Sequence, residues 1–209
     1  ISRPLEEQDG AVVEVNAGPG LLMHLKPASG TPRPVGQAIV ESLVPDGGDG
    51  RVPVVGVSGT RGKTSVARLV AHLLQLGGCP VGLACSDGLF FGQRQVERAD
   101  CATWEAGRRV LLNPAVQAAV IENGGRVILG EGLSYDRCRI GVVTAIDPAG
   151  TWPEFHMTQP EQLCQVYRTQ VDVVLPGGAG VLNADDPLVA GLAPLCDGAV
   201  VFYSTDEAS

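Results

Sequence analysis

One short passage limits what this chain can become. Val52-Pro53-Val54-Val55-Gly56-Val57 is a continuous apolar run, the mark of a strand buried on both faces. It leads into Gly59-Thr60-Arg61-Gly62-Lys63-Thr64. Ser65 to Leu76 then places Val66, Leu69, Val70, Leu73 and Leu76 on one helical face, and Gly77-Gly78 stops the helix. A buried strand, a glycine turn and a helix in that order commit this region to a layered α/β arrangement.

The alternation continues. Val81–Ala84 reads as a strand and Leu89–Val96 as a hairpin turning at Gly92-Gln93. Thr103–Leu112 reads as a helix closed by Asn113-Pro114, and Ala118–Ile121 and Ile140–Val143 as central parallel strands. Glu161–Val171 is a helix, Gly180–Leu182 a strand, Leu188–Leu192 a short helix and Val200–Phe202 a last strand. Strands separated by helices predict a parallel sheet covered on both faces, with a phosphate loop (P-loop) at its first strand. Ahead of this, Ala11–Asn16 reads as a short strand, and Val35, Ile39, Val40 and Leu43 have helical spacing. Pro45-Asp46-Gly47-Gly48-Asp49-Gly50 is turn chemistry throughout. The expected division is 1–44, a linker at 45–50, and a nucleotide-binding domain at 51–209.

Composition excludes several classes. Lys and Arg number 15 against 23 Asp and Glu, a net charge of −8, whereas a nucleic-acid binder needs a basic face to displace phosphate counterions. At 44% apolar and 18% charged, the 209 residues are of globular composition. The uncharged run Leu69–Ser86 contains His72, Gln75, Gly77-Gly78 and Pro80, so no membrane span is expected. The chain opens Ile-Ser-Arg-Pro, without a Met or a signal-peptide pattern, and reads as a piece of something longer. Its six cysteines show no C-x-x-C spacing and no nearby histidine set. Reduced, mostly buried thiols and a cytoplasmic location are the expectation.

The loop carries the chemistry. Gly59 and Gly62 let backbone N–H groups turn inward around phosphate oxygens, and the following helix adds partial positive charge at its N-terminus. Lys63 is placed to reach the β and γ phosphates, and the Thr64 hydroxyl to ligate Mg²⁺. The strict Walker spacing wants glycine at 57, where this chain has Val57, so the match is to a shorter variant. The competing reading is a strand–helix turn that merely holds Gly-Lys-Thr. Arg61 either adds a cation beside the γ phosphate or points to solvent. Glu122 closes an apolar strand at its carboxyl end, where open α/β sheets bind ligands, and there it would hold Mg²⁺ against the phosphates or be solvated. Glu14 and Asn16, spaced i, i+2, share one strand face. That spacing suits a pair of metal ligands and equally two solvent-facing side chains.

Gly59–Thr64 resembles the Gly-Thr-x-Gly-Lys-Thr/Ser loop of the Mur ligases. Within that group the chain resembles cyanophycin synthetases in Val13–Gly20 with Met23-His24-Leu25, Asp100-Cys101, Leu112–Glu122, Ile128–Cys138 and Val181–Pro187. The resemblance implies a central Mur-type domain preceded by the end of an ATP-grasp domain. It further implies an ATP-dependent ligase that forms an acyl phosphate attacked by an amine. Its partners would be ATP, an amino acid or dipeptide and a growing polypeptide, with neither nucleic acid nor membrane, and the full-length protein would be a homo-oligomer. The resemblance assigns Glu14 and Asn16, and separately Thr64 and Glu122, to Mg²⁺. It sets Asn183 with Asp185-Asp186 toward the nucleotide; the other reading of these aspartates is a helix N-cap.

Three departures stand out. Where the family has a Thr-Ala-Arg-Gly-Gly-like stretch after its glutamate, this chain has Asn123-Gly124-Gly125-Arg126-Val127. Where the family has Asn and then Asp-His, this chain runs Thr144-Ala145-Ile146-Asp147-Pro148-Ala149-Gly150, without a histidine; Asp147 and the downstream His156 do not align with it. The place of a family lysine is taken by Tyr167. These departures keep a second reading open, a nucleotide-binding domain that no longer catalyses and serves as scaffold or regulator. The aromatic-bearing loop Gly150–His156, with Trp152, either caps a ligand or fills a crevice. His24 and His72 lie on apolar segments and are expected to be packed.

Overall fold

The computed structural model describes residues 7, 9, 12, 15–44, 48–147, 149, 152–157 and 159–205. Glu14, residues 45–47 of the expected linker, and Gly150 lie outside them. Contacts divide the chain into Ile1–Arg51 and Val52–Ser209.

In Ile1–Arg51 the described elements are α1 (Leu22–Leu25) and α2 (Val35–Leu43), the second being the helix its spacing predicts. Neither buries a residue. Ile39, Val40 and Leu43 are 41%, 60% and 75% exposed, so the apolar stripe of α2 faces no core within this unit. Val12, Val15 and Asn16 belong to no strand, against the expectation for 11–16. Both valines stand in solvent, and Ala11, Val13 and Glu14 lie outside the described residues. His24 is exposed, not packed.

Val52–Ser209 begins with β1 (Val54–Ser58) and α3 (Lys63–Leu76), followed by β2 (Val81–Cys85), β3 (Gly88–Phe91), β4 (Arg94–Glu97) and α4 (Trp104–Leu111). Next come β5 (Ala118–Asn123), α5 (Gly125–Gly130), β6 (Cys138–Val143), α6 (Pro160–Asp172), β7 (Val174–Asn183), α7 (Pro187–Ala190) and β8 (Ala199–Tyr203). The strands form one sheet in the order β4-β3-β2-β5-β1-β6-β7-β8. From β2 to β8 every pairing is parallel, while β3 and β4 add an antiparallel edge, the predicted hairpin. The fold class is therefore the expected α/β sheet, with that hairpin as a mixed margin. β1 is central, paired with β5 on one side and β6 on the other. Its run of apolar residues reflects cover on both faces. On one face α3 packs Ala67 and Ala71 against Val57, Val120 and Val142. On the other, α4 places Ala106 and Val110, and α6 places Leu163, Tyr167 and Val171.

α3 turns only part of the predicted face to the sheet: Val66 and Val70 pack against the core. Its buried residues are Ala67 and Ala71, whereas Leu69, Leu73 and Leu76 are 57%, 57% and 71% exposed. Small side chains let the helix lie close to the sheet, and the leucine stripe is rotated outward. One position on from Ala71, about 100° around the helix, His72 is exposed as well. All six cysteines are free thiols, Cys85, Cys101 and Cys138 among the buried residues.

A polar network lies inside the α6 face of the sheet. Ser58, Asn123, Tyr135 and Gln170 are 0%, 4%, 9% and 0% exposed. Gln170 Oε1 accepts from Ser58 Oγ, Asn123 Nδ2 and Tyr135 OH, each at 3.0 Å. Asn123 Nδ2 also donates to the Tyr135 oxygen at 2.7 Å. Room for it comes from Gly56, in the middle of β1, where a Cβ would collide with the Tyr135 hydroxyl and the Gln170 carboxamide. Gly56→Ala is expected to destabilise by about 1–3 kcal/mol, the usual cost of overpacking a filled core. Urea denaturation of the two chains measures it.

Candidate functional site

The loop from Gly59 to Gly62 joins β1 to α3 at the carboxyl end of the sheet. Gly59 has φ +133° and Gly62 φ +80°, regions open to glycine and strained for other residues. A Cβ on Gly59 would also run into the Thr144 hydroxyl and approach the Ala145 carbonyl at 2.9 Å. The loop is pinned by the chain that follows β6. Thr144 N and Oγ1 donate to the Ser58 carbonyl at 3.0 and 3.1 Å, and Oγ1 also reaches the Arg61 carbonyl at 2.6 Å. Thr60 N donates to Ala145 O at 2.8 Å, and Asp147 N donates to Thr60 Oγ1 at 3.1 Å. Gly62 caps α3 without a side-chain bond, so the first-turn amides of a 14-residue helix stay available to an anion.

Lys63 and Thr64 open that helix and meet Glu122 of β5. Register explains the meeting, because Val57 and Glu122 are Cα partners and both point to the α3 face. The Glu122 carboxylate is buried, and Lys63 Nζ lies 3.8 Å from its Oε1. Oε1 accepts from Thr64 Oγ1 at 3.1 Å and Ser86 Oγ at 3.2 Å, while Oε2 accepts from Ser86 N at 2.9 Å. A hydroxyl and a carboxylate at hydrogen-bond distance, with a lysine beside them, form an all-oxygen donor set with a counter-cation. That set fits a Mg²⁺ ion that completes its shell with phosphate and water.

Above them opens a cavity of about 420 Å³, lined by Gly59, Thr60, Lys63 and Glu122 together with Asp100, Arg126, Asp147, Trp152 and Tyr167. Its volume is that of a small-molecule site. Part of that lining is aromatic. The Tyr167 ring meets Trp152 edge-on at 6.3 Å and 69°. Gly125 lies under both, where a Cβ would meet Trp152 Cζ3 at 2.8 Å and the Tyr167 hydroxyl at 3.0 Å. Gly125 thus gives Trp152 its seat, which is the crevice-filling reading of its loop. Arg126 stacks 5.7 Å over the Trp152 ring and donates to Glu154 at 2.7 Å. That hydrogen bond holds the Glu154 carboxyl below its usual range. Burial pushes the Tyr167 phenol up to about 12. Among the described residues no cluster of three or more His, Cys, Asp or Glu side chains could hold a metal.

The remaining expected residues fall as follows. Arg61 is exposed, its backbone held by Thr144. Asn183, at the end of β7, donates to Thr144 O at 3.1 Å and accepts from Asp185 N at 3.0 Å. It braces Thr144 from behind and is not among the residues lining the cavity. Asp186 is the N-cap of α7 and also accepts from Ile146 N at 2.8 Å. Asp185 holds Ser204 and Thr205. Glu14 lies outside the described residues, and Asn16 is an exposed residue of Ile1–Arg51. Thr144, Ser86 and α5 went unread in the sequence. Gln170 carried a signal: Leu163, Val166, Tyr167 and Gln170 share one helical stripe, so a polar residue stands at a core position.

The Mur ligase middle domain matches residues 57–209. The cyanophycin synthetase of Synechocystis sp. is 39% identical over 206 residues, which are 98% of this chain and 23% of that protein. That of Nostoc sp. is 37% identical over 211 residues, 100% of this chain and 23% of that protein. The chain thus spans about a quarter of the length of these curated relatives. Among solved structures, a UDP-N-acetylmuramoyl-L-alanyl-D-glutamate–2,6-diaminopimelate ligase superposes with a TM-score of 0.60 at 17% identity, over 76% of this chain and 33% of that one. At that identity the likeness is one of fold.

Two outcomes follow from this geometry. Thr144→Val removes the hydroxyl that ties the two ends of the loop and is expected to cost about 1–3 kcal/mol, while Thr144→Ser restores most of it; denaturant titration compares them. Because Tyr167 stays neutral in the folded chain up to about 12, and an unfolded phenol ionises near ~10, its contribution is intact below pH ~10 and lost as pH rises through ~12. Tyr167→Phe should flatten that alkaline decline, read as unfolding midpoint against pH.

Proposed function

Since the chain belongs to the Mur ligase middle-domain family, we propose that it is the nucleotide-binding core of an ATP-dependent amide ligase of cyanophycin synthetase type. The observation that carries the proposal is the convergence of Lys63, Thr64 and the buried Glu122 at the mouth of a glycine loop. In this reading the amides of Gly59–Thr64 and the Lys63 ammonium receive the β and γ phosphates of ATP. Thr64 and Glu122 hold one Mg²⁺, whose charge would offset that of the γ phosphate during transfer to a carboxylate. Glu122 sets the Lys63 ammonium at the loop mouth, and Ser86 fixes the rotation of the Glu122 carboxylate. The acyl phosphate so formed on a carboxylate of the growing polypeptide would be attacked by an amino-acid amine, the new amide C–N bond replacing the C–O bond to phosphate, which leaves as inorganic phosphate while the amine gives up a proton.

The division of the chain is part of the proposal. Residues 1–44 would be the closing piece of an ATP-grasp domain, 45–50 a linker and 51–209 the Mur-type domain. The exposed apolar stripe of α2 supports this, since a helix with Ile39, Val40 and Leu43 in solvent lacks a partner within its own unit. Glu14 and Asn16 would serve Mg²⁺ in that other domain, and Asn183 would act on the nucleotide through Thr144. The reading of a domain that binds nucleotide without catalysing draws on one observation, the Trp152–Tyr167 pair in the cavity lining. In a full-length parent, Lys63→Ala separates the two: it stops amide synthesis if this domain catalyses and spares it if only the ATP-grasp half does.

For the chain itself, calorimetry is expected to show Mg·ADP binding in the wild type and at least ~100-fold weaker binding in Lys63→Ala, about 2.7 kcal/mol for a charge-assisted phosphate contact. Equal, negligible heats in both would overturn the nucleotide reading.

A further inference from the structure

The buried network beneath β1 touches both halves of the proposed site without lining its cavity. Ser58 is the residue before Gly59, and Asn123 the residue after Glu122. They are also the last Cα partners of the β1–β5 ladder. Side chains alternate along a strand, so Val57 and Glu122 face α3 while Ser58 and Asn123 face α6. At the point where the ladder stops, both of the latter donate to one acceptor, Gln170 Oε1, at 3.0 Å. Tyr135 closes the set by accepting from Asn123 and donating to Gln170.

Four polar side chains inside an apolar sheet face are an expensive way to fill space. Breaking the bonds of any one leaves a buried polar group unsatisfied, and well-packed apolar residues would fill the same volume without that liability. β1 even forgoes a side chain at Gly56 to admit them. What the network supplies that apolar packing lacks is direction. Three hydrogen bonds to a single oxygen fix the strand ends laterally and in register, whereas methyl groups slide.

We propose that Ser58, Asn123, Tyr135 and Gln170 form a positioning device that sets the distance between the phosphate loop and Glu122, so that Thr64 and Glu122 address the same Mg²⁺. This rests on the nucleotide reading above. The loop takes its origin from Ser58 and the carboxylate its origin from the residue before Asn123. A drift of the two strand ends would part the Thr64 hydroxyl from Glu122 Oε1, now 3.1 Å away. The effect falls on the metal-dependent part of binding, since the loop amides and Lys63 still meet phosphate when the metal site is spread.

The test is calorimetric titration of ADP into the 209-residue chain with and without Mg²⁺, with the thermal midpoint recorded for each variant. Gln170→Met keeps length and removes the acceptor; Ser58→Ala removes one donor and is the milder change should Gln170→Met fold poorly. The expected result is a loss of about 10-fold in the affinity gained from Mg²⁺ for Gln170→Met and a smaller loss for Ser58→Ala, with metal-free ADP affinity changed less than about 2-fold. A lower thermal midpoint with the Mg²⁺ gain intact in both variants overturns the positioning role and leaves the nucleotide reading standing. If the wild type binds no more ADP than Lys63→Ala does, the nucleotide reading falls and takes this one with it.

Discussion

The parallel pairing of β1 with β5 is the constraint on which the site depends. It sets Val57 beside Glu122 and Ser58 beside Asn123, and the alternation of side chains then sends each pair to an opposite face. On the α3 face the result is a carboxylate under the first turn of the helix. On the α6 face it is a polar knot behind the loop. A one-residue slip would exchange the two faces, placing Glu122 among Tyr135 and Gln170 and taking its carboxylate away from Lys63 and Thr64. Apolar side chains pack on both sides of this pair, Val57 and Val120 toward α3, Val54 and Ile121 toward α4.

The buried Glu122 is tolerable because its surroundings are built for an anion. Thr64, Ser86 and Lys63 supply hydrogen bonds and charge, and an unpartnered carboxylate at 2% exposure would be costly. The aromatic part of the cavity lining has the reverse character. Trp152 over Gly125 and against Tyr167 offers ring faces and edges, and its one cation, Arg126, is tied to Glu154. The loop side thus carries Lys63 beside a buried carboxylate, and the Trp152–Tyr167 pair presents ring surface.

Much of this was legible in the residues. The apolar run at Val52–Val57, the glycine loop and the helix stop at Gly77-Gly78 mark local elements, and local elements follow from local pattern. The hairpin at Gly92-Gln93 was legible for the same reason. The rotation of α3 was not, because a period shows a stripe without showing which stripe the sheet takes; here two alanines win by allowing closer approach than the leucines. The short α5 was hidden by Gly124-Gly125, which usually mark a turn. Thr144 was invisible as a site residue, since its role comes from hydrogen bonds to Ser58 and Arg61, far from it in sequence. Lys63, Thr64 and Glu122 could be named from the sequence because each sits at a strand or helix end, where topology alone predicts convergence.

The central place of β1 also has a consequence in time. As the chain leaves the ribosome, the loop emerges before its neighbours: Val54 pairs with Ala119 and Val55 with Ile140. Until β5 and β6 have been synthesised, β1 has no ladder on either side, and until Thr144 follows them the two ends of the loop are untied. Pairing of this kind closes long loops before it is rewarded, so such sheets assemble slowly. The geometry of the loop is therefore completed only after the sheet has closed around β1.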